Sequence, residues 1–154
     1  MPGSSAPEPP RLHLVDLTPA DAEAITGFLA PRLRAQMDEH RFGTPPYRTA
    51  FALDAIVHRA GHGARRHAQD LAADSFYDRH ERLRCLHALQ DAWNLLWQAA
   101  FPWREEDGYD RDRWVCVEYI DAEHAARGEA MKAEIDAELR AERSAAARAE
   151  GGSR

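Results

Sequence analysis

Asp54, His58 and His62 stand four residues apart, a spacing that resembles a metal-ligand set. On a helix this interval stacks a carboxylate and two imidazoles on successive turns of one face. Helical bundles complete such sites with ligands from a facing helix. His87 and Asp91, also four apart, are the pair that a second helix would bring. The pattern implies a divalent metal as cofactor and a metal-dependent helical-bundle enzyme as its consequence. Several features oppose it. Gly61 is expected to end the helix before His62, there is no HExxH, and a chain with eight histidines shows such spacings by chance. Solvated histidines with no cofactor are the plainer reading.

Arginines form the second constellation. Arg59, Arg65 and Arg66 precede Arg79 and Arg82, with His58, His62 and His67 among them. Together they would make an anion or nucleic-acid patch and point to a nucleic-acid-associated regulator. Asp70, Asp74, Asp78 and Glu81 are interleaved, so mutual surface ion pairs are the simpler expectation. A net charge of −6 and an isoelectric point near 5.7 also argue against nucleic acid.

The third is an aromatic and acidic loop over residues 102–114, holding Trp103, Tyr109 and Trp114 among Glu105, Glu106, Asp107, Asp110 and Asp112. Its carboxylates lack the spacing of a calcium loop. The aromatics either anchor the loop to the core or form an interface, since Trp and Tyr dominate binding hot spots. Met131, Ile135 and Leu139 add a narrow apolar stripe near the C-terminus, suited to a two-helix seam with another copy or a partner. No nucleophile arrangement is evident. Cys85 and His87, two apart on a helix, point to different sides.

The elements that must hold these groups are helical. Asp74–Phe101 is the longest periodic run without Pro or Gly, and Phe76, Leu83, Leu86, Leu89, Trp93, Leu96 and Ala100 share one face. Asp74 is the expected N-cap and Pro102 the stop. Thr18, Pro19 and Asp21 open an earlier helix carrying Ile25, Phe28, Leu29, Leu33 and Met37, with a kink or a break expected at Pro31. Residues 47–60 form another, with Phe51, Ala55 and His58 on one face beside Ala52 and Ile56, Gly61 and Gly63 interrupting it before residues 63–73 resume it. Residues 113–120, RWVCVEYI, have strand propensity. The three–four pattern running on through Leu139 favours one long helix over about 111–147. Residues 11–17 read as an extended segment or an apolar strap.

The fold expected is therefore all-α: a small three- to four-helix bundle with a long C-terminal helix. At most it adds one short two-stranded element, pairing residues 12–17 with 113–120. With 154 residues, one helical domain over 11–143 is expected, between a disordered Pro-rich leader at 1–10 and a frayed tail at 144–154. Neither a signal peptide nor a run of about 20 apolar residues is present, which leaves a cytoplasmic protein with no membrane role. Two cysteines, Cys85 and Cys116, do not make a disulfide framework.

Lys132 is the only lysine among 20 cationic residues, an arginine skew that suggests a bacterial or phage origin. Three pieces carry a likeness: Phe28-Leu29-Ala30-Pro31-Arg32-Leu33, Arg66-His67 ahead of the central helix, and Pro102-Trp103 with Tyr109 and Trp114. In these the chain resembles a group of small helical proteins from GC-rich bacteria for which no activity is established. The resemblance covers residues 25–114 and implies no chemistry. The functional expectation is a helical binding or accessory protein acting through protein–protein interaction or self-association. The metal enzyme and the nucleic-acid regulator are the alternatives.

Overall fold

The computed structural model describes residues 11–151, and the leader expected at 1–10 lies outside them. Four α-helices follow one another: α1 Pro19–Asp38, α2 Pro45–Ala73, α3 Arg79–Ala100 and α4 Ala122–Gly151. No strand occurs among the described residues, so the fold is all-α and the two-stranded option is not realised. The chain divides into two compact units, Met1–Glu118 and Tyr119–Arg154. No helix among the described residues is long and apolar enough to cross a membrane.

In the first unit α2 packs against both α1 and α3. Helix α1 starts where the sequence places it. Thr18 Oγ1 accepts from the Asp21 N–H at 3.3 Å, and Asp21 Oδ2 accepts in return from the Thr18 N–H at 2.8 Å. This reciprocal cap satisfies two donors that the first turn would otherwise leave open. Pro31 does not divide the helix, which is continuous from Pro19 to Asp38. The Gly27 carbonyl that loses its partner to the proline ring lies at an exposed position, open to water.

Helix α2 corrects the sequence reading at its glycines. It runs through Gly61 and Gly63 without a break, and its inward face is Ala50, Val57, Gly61, Ala64 and Ala68. The face shared by Phe51, Ala55 and His58 is exposed, and small residues are buried in its place. The reason is steric: a face of small residues lets α2 lie close to both neighbours. At Gly61 any added Cβ would overlap Thr26 Oγ1 on α1.

Helix α3 keeps its central role, with Cys85, Leu86, Leu89, Trp93, Leu96 and Ala100 buried. Its start moves. Asp74 ends α2 in the left-handed region (φ 45°), its N–H donating to the Asp70 carbonyl at 3.1 Å. Asp78 is the true N-cap, accepting from the Glu81 N–H at 2.8 Å. Leu83 is accordingly exposed, and Phe76 lies half-buried ahead of the helix.

The largest correction concerns residues 113–120, which are neither strand nor helix. Side chains of α3 take the place of a partner strand. Asn94 accepts from the Val117 N–H at 2.9 Å and donates to the Val117 carbonyl at 3.0 Å. Gln90 Nε2 reaches the carbonyls of Val117 and Glu118, both at 3.0 Å, and Trp93 Nε1 donates to Val115 at 2.9 Å. The β propensity is real, but the extended backbone finds its partners on a helix. Leu14 and Leu17 are buried as an N-terminal strap, with the turn Leu14–Asp16 against α3.

Arg113 ties this strap to α1. Its Nε and Nη2 meet Asp21 Oδ1 and Oδ2 at 3.0 and 2.6 Å, and Nη2 also reaches the Asp16 carbonyl at 3.1 Å. Burial pushes the Asp21 carboxyl up. The bonds from Arg113 and Thr18, with the Arg113 charge, outweigh it and leave the group below its ordinary value. A lowered carboxyl stabilises the fold above the ordinary carboxylate range, and that stability is lost as pH falls through the folded value. Asp21→Asn should therefore cost about 1–2 kcal/mol at neutral pH, the guanidinium being partly screened. The deficit should close below about pH 4. Urea midpoints at both pH values measure it, and an equal deficit at each would contradict the linkage.

In the second unit α4 begins at Ala122 rather than near 111. Asp121 Oδ1 accepts from the His124 N–H at 2.7 Å, and Tyr119 lies against Gly128, where a Cβ would overlap its ring. From Ala126 to Ala147 every side chain is exposed apart from the half-buried Gly128 position. Glu123 and Arg127 pair at 3.4 Å one turn apart, whereas Arg140 Nε donates to the Asp136 carbonyl at 3.0 Å. Helix α4 continues to Gly151, and residues 152–154 of the tail expected over 144–154 lie outside the described chain.

Candidate functional site

The five residues of the metal-like pattern do not converge. His58 and His62 do share a face of α2, because the helix continues through Gly61. That face meets α1, not α3. Both line a cleft of about 410 Å³ with Glu23, Thr26, Arg34 and Arg65. Asp54, one turn before His58, is half-buried and does not line this cleft, and His87 and Asp91 are exposed on α3. The fold instead gathers a different group. His67 and Asp70 of α2 and Cys85 of α3 place one ligand atom each within 4.8 Å of the others, the one such group among the described residues.

This grouping was hidden in the sequence. His67 and Asp70 are three apart on α2, a spacing that shares a face, but Cys85 lies 18 residues from His67 and is joined to it only by helix pairing. Cys85 Sγ is 3.7 Å from His67 Nδ1, and the thiol donates to the His67 carbonyl at 3.5 Å. Burial pushes the thiol up, and the Asp70 carboxylate adds to the effect. A protonated thiol bonded to a carbonyl is poorly prepared as a nucleophile. The juxtaposition with His67 therefore does not read as a Cys–His catalytic pair.

The arginine constellation is divided among carboxylates. Arg65 pairs with Glu23 at 3.3 Å, Arg66 with Asp70 at 3.9 Å and Arg82 with Asp74 at 3.4 Å. Arg59 and Arg79 are exposed on α2 and α3. Partly exposed pairs of this kind contribute little to stability and disperse the positive charge that a phosphate backbone would need.

The aromatic loop packs inward. Trp114 is buried, edge-on to Phe28 at 4.9 Å and to Tyr109 at 5.1 Å between ring centroids. Burial pushes the Tyr109 hydroxyl above its usual range, so it stays a donor, here to the Trp114 carbonyl at 3.0 Å. Arg32 closes the loop from α1. It bonds Glu106 Oε2 at 2.9 Å and the Asp107 carbonyl at 3.3 Å, and its guanidinium stacks 3.6 Å from the Phe28 ring centroid. Burial removes Trp114 from any exposed interface.

Trp103 behaves differently. It lines a groove of about 340 Å³ with Leu53, Ile56, Leu95, Ala99 and Pro102. Ile56 and Leu95 remain 50% and 37% exposed on its sides. On α4 the stripe predicted from sequence is also open: Met131, Ile135 and Leu139 are 64%, 48% and 43% exposed.

Fold and surfaces thus define an all-α protein, with four helices among the described residues, an apolar groove in the first unit and an exposed apolar stripe on α4 in the second. Comparison with protein-family models, curated proteins and solved structures finds no match. The likeness to helical proteins of GC-rich bacteria rests on its motifs alone.

Proposed function

We propose that this chain is a helical interaction protein that associates with a second copy of itself. In this reading the apolar stripe of α4 in one copy lies in the α2–α3 groove of the other. The observation that carries it is the state of α4. A long helix whose side chains from Ala126 to Ala147 are exposed, apart from the half-buried Gly128 position, obtains little stabilisation from packing over that span, which is where most helical stability comes from. Its large apolar residues after Ala122 are Met131, Ile135 and Leu139, four apart as in helix-in-groove anchors.

The groove is matched in length and chemistry. From Met131 to Leu139 the stripe covers roughly 12 Å, close to the two turns of α3 and the following turn that carry Leu95, Ala99 and Pro102. Glu134, Glu138 and Glu142 flank the stripe, while Arg59 lies one turn beyond Ile56 and Arg104 follows Trp103 at the groove. A single stripe buries far less than the roughly 800 Å² per partner of a stable interface. Two reciprocal contacts about a two-fold axis double that area, which favours a second copy over a one-site partner.

Sedimentation of the full chain over a concentration series is the test. A reversible dimer is expected. It should be lost both in Met131→Gln/Ile135→Gln/Leu139→Gln and in the groove variant Ile56→Glu/Leu95→Glu, with helicity retained in each. A monomer at every concentration, or a dimer that survives either variant, overturns the proposal. So does a chain that stays monomeric while binding some other protein.

A further inference from the structure

The geometry points to a zinc site formed by His67, Asp70 and Cys85 at the α2–α3 contact, with three protein ligands and a fourth position open to water. The inference is independent of self-association, which uses other residues.

Three observations carry it. First, the donors are the nitrogen, oxygen and sulfur types that zinc accepts, and they come from two packed helices, as bundle metal sites do. Second, one of the three separations already fits, and all three lie within 4.8 Å. Zinc bonds of about 2.3 Å to sulfur and 2.0 Å to nitrogen in a tetrahedron place the two ligand atoms about 3.5 Å apart. Cys85 Sγ and His67 Nδ1 stand at 3.7 Å. Third, the ligands are weakly held by other partners. The Asp70 carboxylate has only the 3.9 Å approach of Arg66, and Arg66 is a surface side chain free to swing away. The thiol makes only the long 3.5 Å bond to the His67 carbonyl and the imidazole contact.

Charge balance supports the same assignment. Binding converts the Cys85 thiol to a thiolate and releases its proton to solvent. The thiolate and Asp70 together supply two negative charges against the two positive charges of the ion, and His67 binds as a neutral ring. The site is then neutral at a position where an unpaired charge would be costly. Ligation would also link α2 to α3.

Cobalt(II), titrated into the reduced full-length chain, is the probe, because a thiolate ligand gives it a near-ultraviolet charge-transfer band. One equivalent should saturate the band, and zinc should displace it. The band should vanish in Cys85→Ala and in His67→Ala, and weaken in Asp70→Asn. His67 and Asp70 are surface-accessible, so their variants report even if the buried Cys85 variant folds poorly. Cys116→Ser must leave the band intact, which excludes the exposed thiol. His58→Ala/His62→Ala must also leave it intact, which excludes the four-residue histidine pattern. Zinc should raise the melting temperature of the unaltered chain and not that of His67→Ala. No band in the unaltered chain, a band that survives His67→Ala, or one lost with Cys116 or with the His58/His62 pair overturns the site.

Discussion

Trp93→Ala should produce the largest loss of stability of any single truncation in the chain. Trp93 is 1% exposed and is the largest of the fully buried side chains. Removing it leaves a cavity between α3 and its neighbours, at a cost of about 3–5 kcal/mol. Total stabilities of about 5–15 kcal/mol make that a large share. The indole does a second job, because its Nε1 donates to the Val115 carbonyl at 2.9 Å. Trp93→Phe restores much of the volume but not the donor, so it should lose about 1–3 kcal/mol by leaving that carbonyl unpaired. Denaturant titration of both variants separates the two contributions. A loss below about 1 kcal/mol for the alanine variant would contradict the placement of Trp93 in the core.

The second large effect is expected at Asn94, a residue with no special standing in the sequence. Asn94→Leu keeps the branched shape of the side chain and raises the helix propensity but removes both bonds to Val117. The Val117 carbonyl still has Gln90, whereas its N–H is left with nothing. The expected cost is about 1–3 kcal/mol for that unsatisfied donor. Asn94→Asp discriminates further. It retains an acceptor for the N–H but turns a carboxylate oxygen toward the Val117 carbonyl, so the amide stays bonded while that carbonyl is repelled. Native-state hydrogen exchange should show Val117 protection lost in Asn94→Leu and largely kept in Asn94→Asp. Unchanged protection in the leucine variant would mean that the strap is held by something other than this side chain.

These two residues also mark the limits of what a pattern of apolar residues can tell. Trp93 was legible, because burial of the Leu86, Leu89, Trp93 and Leu96 face follows from its three–four spacing alone. Asn94 was not, because its importance comes from a segment 23 residues away. The same division holds at the helix ends. Thr18, Pro19 and Asp21 form a cap from adjacent residues, and it was read correctly. Asp74 and Asp78 both qualify as N-caps of α3, and choosing between them required knowing that α2 reaches Ala73 and spends Asp74 on its own termination. On α2 the inward face is not the one with the larger side chains, since proximity to two neighbours favours alanine and glycine over Phe51 and Ile56.

The candidate sites follow that rule. The Met131, Ile135 and Leu139 stripe was readable because its members lie on one helix. The His58 and His62 spacing was real too, yet α1 and not α3 turned out to face it. Local patterns suffice for the helical class, the cap of α1, the core face of α3 and the apolar stripe of α4. Each depends on periodicity or capping within a few residues of chain. Tertiary structure alone decided that α3 side chains bind an extended strap, that small residues form the inward face of α2, and that Cys85 meets His67 and Asp70. Those outcomes depend on which helix faces which, a matter of long-range packing that local spacing does not encode.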